Sequence, residues 1–273
     1  MMRYALAAAG MVAVAAPAPQ RLAIYYGYPT LVEQAGGDLS RATTVFAQYD
    51  TIVFGDGLEL PDVETADVGL KAERQQIASI ISAIHKTARR PVIYGYVALG
   101  STQNLALAEI ERRVERWRTA GADGIFFDEA GNDFGVDATR RRVAVCAAHG
   151  RGLAVFMNAF NPDDLFSGTA PPGREPCDGR LGPRDALLVE SFAIRNGDFE
   201  PLSRIDARAS AALEWRERTG VRVFGVTTTD GRPFSREEFN SAWQLAAARG
   251  FDGFGWGEQN FSANSRLPWR GQP

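Results

Sequence analysis

The chain has 273 residues, of which 45% are hydrophobic and 23% charged, a balance typical of a soluble globular protein with a large core. Its formal net charge of −3 argues against the basic surface that binds nucleic acid. Two cysteines without C-x-x-C spacing argue against a cysteine-based zinc site.

The amino terminus has the pattern of a secretory signal peptide. An arginine precedes a short apolar run from Tyr4 to Ala16, which ends in small residues before Pro17. The run is too short to span a membrane, and no later stretch is long enough. We therefore predict that residues 1–20 are a signal peptide or a disordered start. Residues 21–273 are predicted to be one secreted or periplasmic domain with no membrane span.

Eight short apolar, β-branched or aromatic runs predict strands that are buried on both faces. In chain order they are Leu22–Tyr28, Thr51–Asp56, Pro91–Leu99, Gly124–Glu129, Leu153–Ala159, Ala186–Phe192, Val221–Thr228 and Gly253–Glu258. Helical patterns lie between most of them, at Lys71–Ala88, Leu107–Ala120, Leu202–Thr219 and Ser235–Arg249.

Two details qualify this alternation of strands and helices. Ser235 and Glu238 have the spacing of a capping box at the start of the last helix. Residues 160–185 are rich in Pro, Gly and Asp, which predicts a shortened fifth helix or a loop. Alternating strands and helices imply parallel strands, and eight such units favour a single-domain α/β fold, the closed (β/α)₈ TIM barrel.

Acidic and aromatic residues accumulate at the carboxyl ends of the predicted strands, where barrel enzymes carry their active sites. They are Tyr26 and Tyr28, Asp56, Tyr96, Asp128 and Glu129, Asn158, Glu190, Trp256 and Glu258. Aromatic faces cover the C–H surface of a sugar ring, whereas carboxylates bind hydroxyls or perform acid/base and nucleophilic work. This mixture favours a polysaccharide or oligosaccharide substrate, bound around the catalytic candidates Asp128 and Glu190.

Asp128 and Glu129 are adjacent, so they face opposite ways in an extended strand. We expect Asp128, the residue nearer the strand body, to face the barrel axis, and Glu190 to lie on the same rim. Alternatively, these acids hold rim arginines or cap helices in a barrel without catalytic function. Acids at the ends of four alternate strands favour the catalytic interpretation.

Other mechanisms fit the sequence less well. Lys71 and Lys86 are the only lysines and fall in a predicted helix, which argues against a Schiff base at a strand end. His85 and His149 also fall in helices, so neither a histidine metal site nor a Ser-His-Asp triad is expected. We predict no metal and no cofactor.

Five motifs occur in order along the chain. They are Ile24-Tyr-Tyr-Gly-Tyr-Pro, Val53-Phe-Gly-Asp-Gly, Tyr94-Gly-Tyr-Val, Gly124-Ile-Phe-Phe-Asp-Glu-Ala and Val189-Glu-Ser-Phe. Across residues 22–260 this order resembles the spherulin-4 type of glycoside hydrolase barrel and the related endo-α-1,4-polygalactosaminidase barrels. The resemblance implies hydrolysis of a galactosamine-containing or related exopolysaccharide.

The same resemblance implies roles for two acids. Glu190 would be the nucleophile or base, and Asp128 the acid or a substrate-orienting group. The chain departs from its relatives in having Glu129 where they often have a second aspartate, and in the long loop 163–184.

Two alternatives remain compatible with the sequence: a non-catalytic carbohydrate-binding barrel, and a barrel enzyme of another class, such as a lyase that uses the same acids. The presence of both Asp128 and Glu190 favours a hydrolase over a binding protein. The sugar, the cleavage pattern, retention or inversion and the oligomeric state are left open. So is the pairing of Cys146 with Cys177, which export would permit.

Overall fold

All eight apolar runs form strands, and these strands close into a parallel barrel in which neighbours follow the chain order and the last strand pairs with the first. The computed structural model describes residues 18–61, 66–168, 177–228, 231–232, 235–257 and 267. The barrel strands are β1 (Gln20–Tyr25), β2 (Thr51–Phe54), β3 (Val92–Ala98), β4 (Gly124–Asp128), β5 (Ala154–Asn158), β6 (Ala186–Val189), β9 (Arg222–Thr228) and β10 (Gly253–Gly257). The predicted (β/α)₈ barrel is confirmed.

In the described part of the chain, six α-helices surround the barrel. They are α1 (Leu39–Phe46), α2 (Val68–His85), α3 (Leu107–Ala120), α4 (Ala138–His149), α5 (Leu202–Thr219) and α6 (Arg236–Ala248). The predicted capping box is present, because the Ser235 hydroxyl accepts from the Glu238 N–H and the Glu238 carboxylate accepts from the Ser235 N–H. This reciprocal pair satisfies two donors that would otherwise be unpaired at the start of α6.

The connection between β5 and β6 differs from the others. Within the described residues of this connection, the regular structure is a 3₁₀ helix, Pro162–Phe166. This agrees with the predicted shortening of the fifth helix. A small antiparallel hairpin, β7 (Ile194–Arg195) and β8 (Asp198–Phe199), follows β6 before α5 begins. Both irregular segments lie after the carboxyl ends of barrel strands, on the side where barrel active sites form.

Alternating strand residues divide the core into two layers. The inner layer fills the barrel with side chains that include Tyr94, Phe126 and Phe156, whose rings meet edge to face. The outer layer packs the strands against the helices. A Cβ added at Gly95 would lie 2.0 Å from the ring of Trp117, so this outward position of β3 requires glycine.

Cys146 in α4 and Cys177 form a disulfide bond, with a sequence separation of 31 and Cα atoms 5.7 Å apart. The bond closes a loop that contains all of β5. Disulfides persist in oxidising compartments, so the bond agrees with the predicted export. Residues 1–17 of the predicted signal segment lie outside the described residues. Its last residue, Gln20, is the first residue of β1. Among the described helices, none has the length and hydropathy needed to cross a bilayer.

Replacing Cys146 with serine is expected to lower the free energy of unfolding by about 2–4 kcal/mol, because the bond restricts the unfolded chain. Guanidinium chloride titration measures the difference. The double variant with Cys177→Ser controls for the unpaired thiol, and a reductant should destabilise only the wild type. Equal stability of wild type and double variant would contradict a stabilising bond.

Candidate active site

Three consecutive barrel strands each end in an inward-facing polar side chain. Asp128 is the last residue of β4, Asn158 is the last residue of β5, and Glu190 directly follows β6. Each comes two residues after a member of the inner layer, and alternate residues of a strand face the same way. The three side chains therefore converge on the barrel axis at the carboxyl rim.

One amide nitrogen joins the two acids. Asn158 Nδ2 donates to Asp128 Oδ1 and to Glu190 Oε1, with both hydrogen bonds 2.7 Å long. The two accepting oxygens therefore lie no farther apart than twice this distance. Asn158 is buried, so the bridge is shielded from competition with water.

Partial burial shifts the proton equilibrium of both acids. Desolvation, followed by the charge of Asp128, raises the pKa of Glu190 to about 8, against the smaller opposing effect of the Asn158 hydrogen bond. Desolvation also raises the pKa of Asp128, but three donors oppose it: the Asn158 amide, the Glu129 N–H at 2.9 Å and the Tyr96 hydroxyl. Asp128 thus accepts from more donors than Glu190, and these donors stabilise its negative charge.

Tyr26 and Tyr96 form the aromatic side of the site. Their ring centroids are 5.0 Å apart in an edge-to-face arrangement. Burial, together with the charge of Asp128, raises the pKa of both phenols well above the usual range. Both hydroxyls consequently remain protonated and available as donors beside the carboxylates.

Asp56 lies on the same rim, two residues after β2. The preceding residue, Gly55, packs against both rings, since a Cβ added there would lie 2.6 Å from Tyr96 Cβ and 3.0 Å from Tyr26 Cδ1. Burial is the largest cause of the raised pKa values of the two phenols, and the charge of Asp56 adds to it. Gln103 Nε2 donates to Asp56 Oδ2 at 2.8 Å, and Arg113 Nη1 lies 3.9 Å from Asp56 Oδ1. The structure therefore brings together six of the predicted residues on one side of the rim, with Asn158 bridging the two candidate catalytic acids. They are Tyr26, Asp56, Tyr96, Asp128, Asn158 and Glu190.

Comparison with known proteins adds evidence about the fold. No protein-family model matches the sequence, and no curated protein matches it. The glycoside hydrolase domain of PelA from Pseudomonas aeruginosa is similar in structure, with a TM-score of 0.51 and 16% identity over 92% of this chain and 100% of that chain. A glutamate-to-alanine variant of that domain gives a TM-score of 0.52 and 15% identity over the same shares. A 2,3-dimethylmalate lyase gives a TM-score of 0.45 and 15% identity, over 87% of this chain and 75% of that chain.

At these identities the likeness establishes the barrel fold alone. The motif resemblance to spherulin-4 and polygalactosaminidase barrels therefore stays a prediction. Within the described part of the chain, no group of three or more His, Cys, Asp or Glu side chains is placed to hold a metal ion.

Two predicted site residues face other partners. The Tyr28 hydroxyl donates to Asp67 Oδ2 at 2.7 Å, at the start of α2, because β1 has already ended at Tyr25 and no longer directs Tyr28 inward. Glu129 follows the end of β4 with a left-handed φ of 54°, and its carboxylate accepts from the N–H and hydroxyl of Thr102. Glu129 thus holds the loop between β3 and α3, outside the group around Asn158.

Trp256 was expected to offer a sugar platform, but its indole packs in the outer layer with Phe254 and is 9% exposed. The physical reason is strand parity, since the inward positions of β10 are Gly253, Gly255 and Gly257. Glu258 lies outside the described residues.

Sequence reasoning missed several residues near the rim. Phe160 is 66% exposed and its ring lies 5.7 Å from that of Phe134, so it offers the apolar face that Trp256 does not. Its signal was an aromatic residue in a polar loop directly after a barrel strand. Gln103 and Arg113 gave no comparable signal, because they reach Asp56 from a loop and from α3.

The raised pKa of Glu190 is expected to make the folded protein less stable as pH increases. Between its ordinary value of 4.5 and about 8, the native state holds a proton that the unfolded state has released. Glu190→Gln removes this group and should reduce the slope of unfolding free energy against pH in that window, as measured by urea denaturation at several pH values.

The exposed Glu214→Gln variant is the matched control and should keep the wild-type slope. Part of the slope remains in every variant, because burial also raises the pKa of Glu59 to about 7. An unchanged slope in Glu190→Gln would show that Glu190 titrates normally.

Proposed function

We propose that the protein is a retaining glycoside hydrolase that acts on a polysaccharide, with Glu190 as the general acid and Asp128 as the nucleophile. The observation that carries the proposal is the pair of hydrogen bonds from Asn158 Nδ2 to both acids. This bridge holds two carboxyl groups side by side at the rim, where barrel enzymes bind their substrates.

The separation of the acids supports retention. Retaining enzymes place their two carboxyl groups about 5–5.5 Å apart, whereas inverting enzymes leave about 6.5–9.5 Å for a water molecule. The bridged oxygens of Asp128 and Glu190 each lie 2.7 Å from Asn158 Nδ2. Their separation is therefore near the retaining distance and shorter than the inverting one. The geometry thus favours a direct attack by one carboxylate.

In the first step, Asp128 attacks the anomeric carbon while Glu190 donates its proton to the departing glycosidic oxygen. The carbon–oxygen bond breaks as an ester to Asp128 forms. In the second step, Glu190 takes a proton from water, whose oxygen attacks the same carbon and releases Asp128. One glycosidic bond and one water molecule are consumed, and the proton returns to Glu190.

This assignment reverses the roles that the family resemblance implies. It rests on the unequal hydrogen bonding of the two acids, since Asp128 has three donors and Glu190 accepts from Asn158 alone among the described contacts. A carboxylate rich in donors stays ionised and serves as a nucleophile, whereas a desolvated one keeps its proton.

Three observations support a carbohydrate substrate. Tyr26 and Tyr96 line the site, and Phe160 exposes its ring nearby, which suits the C–H faces of sugars. The similar solved structure named above is described as a glycoside hydrolase domain. The motif resemblance implies a galactosamine-containing or related exopolysaccharide, which an exported, disulfide-bonded enzyme would meet outside the cytoplasm.

Asp128→Asn and Glu190→Gln are each expected to fold and to lose about a hundredfold or more of turnover, the scale of a lost acid–base group. The assay measures new reducing ends across a panel of glycans, with Glu214→Gln as the control that keeps wild-type turnover. Near wild-type rates in both variants would refute the site assignment. Unsaturated ends in the products would instead show a lyase.

The two roles separate on a substrate with an activated aryl leaving group. Such a group departs without a proton, so Glu190→Gln should recover most of its first-step rate, whereas Asp128→Asn should not. Added azide should increase turnover of Glu190→Gln and yield a glycosyl azide of retained configuration, detectable by NMR. Rescue confined to Asp128→Asn would reverse the assignment.

A further inference from the structure

A cavity of about 480 Å³ adjoins the proposed catalytic pair. It lies between the end of β6, the loop after β5 and helix α5, and Glu190 contributes to its wall. The exposed ring of Phe160 lines it, and the small side chains Ala207 and Ala211 of α5 leave space opposite. The volume is within the range of small-ligand sites, about 300–1,000 Å³.

Two arginines, Arg195 and Arg208, give this cavity a positive charge. Arg208 Nε and Nη2 are buried without a hydrogen-bond partner, and the nearest carboxylate oxygen, Glu200 Oε1, is 3.8 Å from Nη2. Buried donors without partners cost stability, so packing alone does not account for this placement.

Among the described side chains, Glu200 forms an ion pair with Arg208, and Asp198 lies opposite Arg195 in the hairpin without forming one. Glu200 also pairs with Arg204, 3.5 Å away, so two arginines share this one carboxylate. Arg195 is exposed and has no hydrogen bond or ion pair to another described side chain. Burial is the largest cause that lowers the pKa of Arg208, and repulsion from Arg195 adds to it, against the opposing charge of Glu200. Glu190 adds no full negative charge near neutral pH, because its pKa is raised to about 8.

We propose that this cavity is a subsite for a carboxylate-bearing sugar, a uronic acid residue whose ring contacts Phe160 and whose carboxylate binds Arg195 and Arg208. Planar guanidinium groups match the geometry and charge of a carboxylate. The inference rests on the proposed hydrolase function and deepens it: the substrate is a related polymer that contains acidic sugars. A cationic galactosamine unit is disfavoured at this position.

Direct binding tests the subsite without relying on turnover. Isothermal titration of the wild-type protein at low ionic strength compares galacturonate, galactose, galactosamine and inorganic sulfate. Galacturonate should bind at least about tenfold more tightly than the other three. Equal binding of galacturonate and galactose overturns the proposal, and sulfate binding as tight as galacturonate overturns the assignment to a carboxylate.

Variants assign the effect to the cavity. Arg208→Gln and Arg195→Gln should each weaken galacturonate binding by about tenfold, while Arg208→Lys should weaken it less because the charge remains. Arg112→Gln, an exposed arginine on α3 that does not line the cavity, is the control and should bind like the wild type. Thermal unfolding verifies the fold, and undiminished binding in both glutamine variants overturns the proposal.

The rates of cleavage of a uronate-containing polymer and of its carboxyl-reduced form distinguish the subsite proposal from the hydrolase proposal. Faster cleavage of the acidic polymer, lost in Arg208→Gln, supports the subsite. Equal cleavage of both forms overturns the subsite and leaves the hydrolase standing. Uronate binding with no turnover of any glycan overturns the hydrolase and leaves the anion site standing.

Discussion

The two hydrogens of the Asn158 amide hold the active rim together. Each hydrogen is donated to a different acid. The flipped carboxamide would place its oxygen against two carboxyl oxygens, so the site favours one orientation of the side chain. The arrangement depends on barrel register, in which Asn158 of β5 is level with Leu188 of β6. A change of one residue in either strand would turn its polar end residue toward the helices.

The inner aromatic layer couples the core to the chemistry. Phe126 and Phe156, which stack edge to face, lie one inward position below Asp128 and Asn158. These rings exclude water from the floor of the rim, and exclusion of water makes the second negative charge costly. The packing that closes the barrel thus also keeps one proton on the acid pair, linking stability and reactivity in the same side chains.

Much of the fold was predictable because each strand is a continuous apolar run, and helices α3 and α5 have the predicted limits. The predicted strand ends ran too far where a polar turn continued the hydrophobic signal, as at Tyr28, three residues beyond the end of β1. The prediction for Trp256 considered its position at a strand end and not the alternation of inward and outward residues along β10. The same alternation had correctly predicted that Asp128 faces inward.

Other features of the site have no local signature in sequence. Arg195 and Arg208 come from a hairpin and a helix and meet near Glu190 only through the closed topology of the barrel. The bridging role of Asn158 likewise depends on two strands that its own sequence neighbourhood does not reveal. Pattern reasoning found Asp128, Asn158 and Glu190 at the rim, whereas the pairing of their atoms follows only from the three-dimensional structure.

The unequal charge of the rim has a consequence for inhibitor chemistry. Glu190 is joined to Asp128 through Asn158, and it also lines the cavity that contains Arg195 and Arg208. A zwitterionic iminosugar, with an ammonium in the ring and a carboxylate arm of suitable length, would satisfy both sides at once. The ammonium would have to lie near Asp128 and the carboxylate near the two arginines. A molecule with these two charged groups exchanged would bind poorly. The order of charges along the rim therefore offers a basis for selective binding.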